Sequence, residues 1–192
     1  MNRQLCACLT TALLVCAGPR LLAKSNKDSK PMQTKILVVY FSHSSNTREL
    51  AKQVQELTGG DLFEIVPEKQ YPAEYDDVVK QAKEELKSDF KPKLQTKLKN
   101  LAAYDMVFIG SPNWWGTVAG PVRTFLADYD LEGKSVAPFI THEGSGMGSS
   151  ARDISKRCPG ATILDGLAVR GSSVKSARSD VSQWLRKLNL LK

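Results

Sequence analysis

The chain reads as a three-layer α/β domain built on a doubly wound, parallel, five-stranded sheet. Three observations predict this class. From Lys35 onward, strand-like and helix-like patterns alternate along the chain. The strand candidates at 36–41, 106–109 and 136–140 are continuous apolar runs, as expected of strands buried on both faces. The connections between them are short, so the alternation specifies parallel strands with helical crossovers packed on the sheet.

Each element has a local cause. Ile36-Leu37-Val38-Val39-Tyr40-Phe41 is β-branched and aromatic, and forms the first strand. Leu50, Val54 and Leu57 recur at i, i+4 and i+7, a helical stripe that Gly59-Gly60 ends. Residues 62–66 are the second strand, closed by Pro67. Tyr75, Val78, Val79, Ala82 and Leu86 then mark the apolar face of a second helix, with charges opposite. Residues 106–109 are the third strand, and Pro121 opens a short helix carrying Val122, Phe125, Leu126 and Tyr129 on one side. Residues 136–140 make the fourth strand. Ala151, Ile154 and Cys158 mark a short helix, Thr162-Ile163-Leu164 begins the fifth strand, and Ala177, Val181, Trp184, Leu185 and Leu188 stripe the last helix.

The 192 residues are 42% hydrophobic and 24% charged, which suits one globular domain. Residues 1–23 read as a secretory signal peptide: Arg3 is its positive end, an uncharged apolar stretch follows, and Ala23 fits the cleavage position. That stretch is short for a membrane span of roughly 20 residues. Residues 24–34 are a polar linker, and 35–192 the folded domain. The expected location is therefore outside the cytoplasm, periplasmic or extracellular, with a cytoplasmic location as the alternative if residues 1–23 do not act as a signal. Leu13-Leu14-Val15-Cys16 also resembles a lipoprotein signal, and lipidation of Cys16 would hold the chain beside a membrane. Cys6, Cys8 and Cys16 fall in the leader. Cys158 alone is left, so neither an internal disulfide nor a Cys-rich metal site is expected. With only His43 and His142 in the chain, no structural zinc is expected either. The net charge of +7 drops to +5 once Arg3 and Arg20 are removed (7 − 2). The positive charge is spread, with no Lys/Arg run interleaved with aromatics, so a nucleic-acid partner is not expected.

In a sheet ordered 2-1-3-4-5, ligands bind beyond the carboxyl ends of the strands, and three loops there carry chemistry. Ser42-His43-Ser44-Ser45-Asn46-Thr47 gathers hydroxyls, an amide and backbone N–H groups at a helix N-terminus, a cradle for an anion. It lacks the glycine spacing and the Lys of a Walker loop. Gly110-Ser111-Pro112-Asn113-Trp114-Trp115-Gly116-Thr117 sets two Trp among turn residues. At least one indole should lie near the surface, suited to a flat aromatic ligand. Thr141-His142-Glu143-Gly144-Ser145-Gly146 is a flexible loop whose backbone can approach a heterocycle edge. His142 and Glu143 are candidates for an acid/base pair, or for holding the loop in shape.

Tyr40-Phe41-Ser42-His43-Ser44-Ser45-Asn46-Thr47 resembles the phosphate loop of the flavodoxins. Asn113-Trp114-Trp115-Gly116-Thr117 and Pro138-Phe139-Ile140-Thr141-His142-Glu143-Gly144-Ser145-Gly146 are similar to a bacterial flavodoxin-like subfamily, as are Gly60-Asp61-Leu62-Phe63-Glu64-Ile65 and Gly166-Leu167-Ala168-Val169-Arg170-Gly171. The resemblance runs from Lys35 to the last helix and implies a short-chain form with noncovalently bound FMN. It puts Ser42, Ser44, Ser45, Asn46 and Thr47 at the phosphate. Pro112, Asn113, Trp114, Trp115 and Gly116 would flank the ring, with one of the two indoles against its face. Thr141, Glu143, Gly144 and Gly146 would line its other side or edge. Ser45 stands where the family has Gly, a substitution that costs on the order of 1 kcal/mol if φ is positive there.

The expected function is electron transfer through FMN to a redox partner protein or a small acceptor. An FMN-dependent NAD(P)H:quinone-type reductase, with His142 as a proton donor, is one alternative. An exported flavodoxin-fold binding module without redox activity is another. The family's familiar carriers are acidic and this chain is basic, which points to a neutral or acidic partner surface, or to a membrane nearby.

Overall fold

The computed structural model describes residues 34–191. The proposed signal peptide, Cys16 and nearly all of the 24–34 linker lie outside the described residues. The strands are β1 (Ile36–Tyr40), β2 (Asp61–Glu64), β3 (Met106–Trp114), β4 (Thr117–Val118), β5 (Ser135–His142), β6 (Thr162–Ile163) and β7 (Leu167–Arg170). The helices are α1 (Asn46–Thr58), α2 (Tyr75–Lys87), α3 (Gly120–Asp128), α4 (Ser150–Arg157) and α5 (Arg178–Lys187). The sheet runs β2-β1-β3-β5-β6, with β7 also paired to β5. Its pairings are parallel, except that β4 folds back antiparallel on β3. This is the doubly wound order expected from the sequence.

Strands buried on both faces sort their side chains alternately into two cores. Leu37 and Val39 of β1, with Val107 and Ile109 of β3, face Val78, Val122, Phe125 and Ile154 from α2, α3 and α4. Val38, Tyr40 and Phe108 face Leu50 and Val54 of α1 and Val181, Trp184 and Leu185 of α5. Phe108, Phe125 and Phe139 are fully buried. Truncating any of them to Ala would cost about 3–5 kcal/mol. Cys158 packs in the first core, and burial pushes its thiol up to about 11, so it remains a protonated packing group.

The structure departs from the sequence reading in five places. The second strand pairs over Asp61–Glu64 rather than 62–66, and as an edge strand it leaves Leu62 exposed. The third strand continues to Trp114, because residues beyond Ile109 still find ladder partners in β5, up to Pro112 opposite Thr141. The fifth strand is split: β6 and β7 both pair with β5, with residues 164–166 breaking the run between them. Tyr75 is not on the buried face of α2; it is 74% exposed, and Val78, Ala82 and Glu85 are the buried residues of that helix. The segment 88–100, unassigned from sequence, lies beside the chain after β2. Glu68 N–H donates to the Lys93 carbonyl (2.9 Å) and Gln95 N–H to that of Val66 (2.8 Å).

Candidate functional site: a cleft at the carboxyl end of the sheet

Beyond β1 the chain turns into α1 through Ser45, which takes the left-handed conformation (φ 70°, ψ −8°). Ser45 sits at the N-cap, yet no side chain caps the helix, so the N–H groups of the first turn lack side-chain partners. A non-glycine residue in this conformation is strained by on the order of 1 kcal/mol. The strain is held in place by neighbours. The Ser45 carbonyl accepts the Glu49 N–H (3.0 Å), and Arg48 donates to Ser45 Oγ (3.3 Å) while pairing with Glu64 at the end of β2. Glu64 also accepts the Tyr40 hydroxyl (3.1 Å). Deeper in the loop, Ser42 Oγ is buried and has no hydrogen-bond partner among the described residues. Thr47 and Thr141, both buried, share one hydrogen bond between their hydroxyls (2.8 Å). Whichever of the two donates, the other keeps a free O–H.

β3 and β4 form a two-residue hairpin in which Trp115 (φ 54°) and Gly116 (φ 82°) are the central residues. Positive φ at both positions matches the twist of a tight hairpin, and the bulky Trp115 must be held there. Its indole N–H donates to the Val79 carbonyl of α2 (2.9 Å), and Lys83 Nζ lies over its ring at 4.7 Å. Asn113 Oδ1 accepts the Gly116 N–H (2.9 Å). The two indoles diverge. Trp115 is 49% exposed, whereas Trp114 points inward, edge-on to Phe41 (5.5 Å) and Tyr71 (4.9 Å).

The glycine loop after β5 is bonded to this hairpin. Asn113 Nδ2 donates to the Gly146 carbonyl (2.9 Å), and the Ser149 N–H and hydroxyl both donate to the Gly116 carbonyl (2.7 and 3.0 Å). Asp153 of α4 accepts hydroxyls from Thr117 (2.7 Å) and Ser149. Burial opposes ionisation of Asp153, but those two hydroxyl bonds together with the charges of Arg152 and Lys156 outweigh it and hold the carboxyl below its ordinary value. His142 Nδ1 accepts the Gly144 N–H (2.9 Å), so this ring shapes the loop. Glu143 makes no hydrogen bond to His142; its carboxylate and the Asn46 amide lie over Gly171, leaving no room there for a Cβ.

These loops and α2 enclose one cleft of about 1060 Å³, at the upper end of small-molecule sites. Of the residues singled out from sequence, Ser44, Asn46, Pro112, Asn113, Trp114, Trp115, Gly116, Thr141, His142, Glu143 and Gly144 line it. Ser42, Ser45, Thr47 and Gly146 are not among the lining residues. They stand behind them as loop and helix-start positions. Sequence reasoning missed a whole wall: Gln70, Tyr71 and Ala73 before α2, and Tyr75, Val78, Val79 and Ala82 on it. His43 was also missed; its Nε2–H donates to the Pro72 carbonyl of this wall (2.8 Å). The signal that could have found the wall is the pair Tyr71 and Tyr75 flanking Pro72 at the start of the helix.

Fold and cleft together define a doubly wound α/β domain with an anion cradle, an aromatic hairpin and a glycine loop at one switch point. The sequence matches the Flavodoxin family model over residues 35–188, and the chain belongs to that family. It is similar to a candidate flavoprotein from Bacteroides uniformis, at 34% identity and a TM-score of 0.71, over 80% of this chain and 98% of that one. A candidate flavoprotein from Bacteroides eggerthii aligns at 29% identity and a TM-score of 0.66, over 78% and 98% of the two chains. A Lactobacillus acidophilus flavoprotein in complex with FMN aligns at 26% identity and a TM-score of 0.59, over 76% and 99%.

Proposed function

We propose that this chain binds FMN noncovalently in the cleft and transfers electrons through it. The observation that carries the reading is the uncapped N-terminus of α1, whose Ser44 and Asn46 line the same cleft as the Trp114–Trp115 hairpin, with the buried Ser42 Oγ, unpartnered among the described residues, behind them. A buried hydroxyl without a partner costs about 1–3 kcal/mol, and a phosphate oxygen would satisfy it. When bound, FMN supplies the redox chemistry, and the protein supplies binding, orientation and electrostatics. Ser42, Ser44, Asn46 and Thr47 would hold the phosphate, helped by the first-turn N–H groups and the dipole of a thirteen-residue helix. The hairpin would present an indole to the ring, and Glu143, Gly144 and Gly146 would meet its other side or edge. His142 spends Nδ1 on the Gly144 N–H and so orients that loop.

The family membership and the FMN complex of the Lactobacillus acidophilus relative support the same reading. Among the described residues no Lys or Arg lines the cleft, and its one anion cradle, at the α1 N-terminus, is assigned to FMN, so a second phosphate-bearing cofactor would find no further anion site in it. That favours electron transfer over an NAD(P)H-dependent reductase. The test is calorimetric titration of the chain with FMN, followed by reduction with dithionite under argon and reoxidation by an added acceptor. Retained flavin that cycles between the two states supports the proposal. A chain that binds no FMN, or binds it without cycling, overturns it.

A further inference from the structure

The chain from Lys91 to Tyr104, between α2 and β3, carries four lysines and no acidic residue. Its side chains alternate in burial. Pro92 is buried and Leu94, Thr96 and Leu98 are half-buried, while Lys91, Lys93, Gln95, Lys97 and Lys99 are exposed. The inward residues fix the segment as a strap along the edge of the domain. Leu94 and Leu98 pack on the first core, and Leu94 bridges Pro67 in antiparallel fashion. Thr96 Oγ1 accepts the Val66 N–H (3.0 Å) and donates to the Glu64 carbonyl (3.1 Å). The Pro92 carbonyl accepts the Thr124 hydroxyl (2.8 Å), and the Leu98 N–H donates to the Tyr129 oxygen (2.8 Å).

At about 3.3 Å per extended residue, Lys93, Lys97 and Lys99 line one face over roughly 20 Å. Lys91 pairs with Asp89 (2.8 Å), but the other three have no ion-pair partner among the described residues. On α2, by contrast, Lys87 is matched by Glu84.

We propose that this strap is a docking surface for an anionic lipid bilayer. Like charges held in line repel one another, and a flat surface of opposite charge relieves all three at once. Two observations select a lipid surface over an acidic protein. No strap residue lines the cleft, so a protein seated on the strap would not thereby meet the flavin site. Phe90, directly before Lys91, is 54% exposed, and an aromatic side chain beside lysines suits the headgroup region. Lysines at a sheet edge also deter pairing with another chain, a role that is indifferent to lipid charge. The proposal goes beyond the flavin reading and does not depend on it.

The test is co-sedimentation of the full chain with vesicles of phosphatidylcholine alone or mixed equally with phosphatidylglycerol, at low and high sodium chloride. Binding to the anionic vesicles should be about tenfold tighter or more, and should weaken as salt rises. The triple variant Lys93→Gln/Lys97→Gln/Lys99→Gln should lose about tenfold on anionic vesicles with its melting temperature unchanged. The corresponding triple Arg variant should keep the affinity. A control, Lys52→Gln/Lys175→Gln/Lys187→Gln, removes the same charge from exposed positions on α1, α5 and the turn before α5. It should change binding less than about twofold. Residues 1–33 are common to all these proteins, so differences between them report the described domain.

Equal losses in the strap and control variants would mean that net charge alone drives binding, and would overturn the proposal. So would full affinity in the folded strap variant, or equal binding to both vesicle types. Absence of vesicle binding, with strap-dependent binding of poly-L-glutamate, would assign the face to an acidic protein and overturn it as well.

Discussion

The two sides of the cleft are built in opposite ways. On the hairpin side, Asn113, Ser149, Thr117 and Asp153 join β3, β4, the glycine loop and α4 with a dense set of hydrogen bonds within the protein. Ser150 Oγ at the start of α4 is the exception, buried with no partner among the described residues. On the α1 side, Ser42 Oγ is buried without a partner, Ser45 is held left-handed, and the helix start has no side-chain cap. A satisfied network fixes geometry, which a flat ring needs in order to be held at one angle. An unsatisfied one keeps donors in reserve, which suits an anion. Under the proposed function, one side would orient the ligand and the other would supply its binding energy.

The largest effect should come from breaking the braced side. A Cβ on Gly148 would collide with the Gly116 carbonyl oxygen and press on Asn113, at a φ of 56°. Gly148→Ala should therefore cost roughly 3 kcal/mol, overpacking added to left-handed strain. Gly146→Ala carries similar strain (φ 62°) with no atom within 4 Å of the new Cβ. It should cost only about 1 kcal/mol. Urea denaturation of both variants measures the gap, and equal losses would mean that the hairpin–loop brace is not rigid.

Next in size is the reserve side. Ser42→Ala removes a hydroxyl that has no protein partner, so stability should hold or rise slightly. FMN affinity should fall about tenfold, the value of one hydrogen bond to a charged group at roughly 1.4 kcal/mol. A stability loss with FMN affinity intact would reverse the assignment of this side. Ser45→Gly should stabilise the free chain by up to about 1 kcal/mol, because glycine accepts φ 70° without strain. The weak Arg48 contact it gives up is exposed. A thermal melt that moves down instead of up would show that the Ser45 side chain contributes more than the strain costs.

The smallest effect lies away from the cleft and serves as its control. Hydrogen bonds from Lys91 and Arg157 lower the Asp89 carboxyl from 3.8 to about 2. Its stabilising share is complete above about pH 4 and is lost as pH falls through 2. Because Asp89 is 53% exposed, that share is under about 1 kcal/mol. Asp89 also faces the buried Arg123 at 3.5 Å, so Lys91→Ala, which spares that pair, should remove part of this share from an acid titration of stability without touching FMN affinity.

Much of this cleft was legible in the sequence. The apolar runs at 36–41, 106–109 and 136–140 gave the central strands, since only strands covered on both faces can afford to lack polar alternation. The Ser/Asn/Thr cluster before α1 and the Trp pair were legible because their chemistry is written in adjacent residues. The α2 wall was not. Tyr75, Val78, Val79, Ala82 and Leu86 share a helical spacing, which locates a face but not what covers it. The helix is rotated so that Glu85 goes inward to accept the Tyr71 hydroxyl (2.7 Å), and Tyr75 is left at the rim. Nor could spacing reveal that Trp114 turns in and Trp115 turns out, because that depends on a hairpin closed by Asn113 and on a carbonyl of α2.

Local sequence determined the alternation of strands and helices and the loop that presents unpaired N–H groups, whereas the left-handed turn at Ser45 was only conditional there, raised by the family resemblance. The first two follow from periodicity and backbone sterics within a few residues of chain. The tertiary structure alone decided that Thr47 meets Thr141, that Asn113 reaches Gly146, and that α2 closes the cleft. Those contacts join residues far apart in sequence, and only packing of the whole sheet brings them within hydrogen-bond reach.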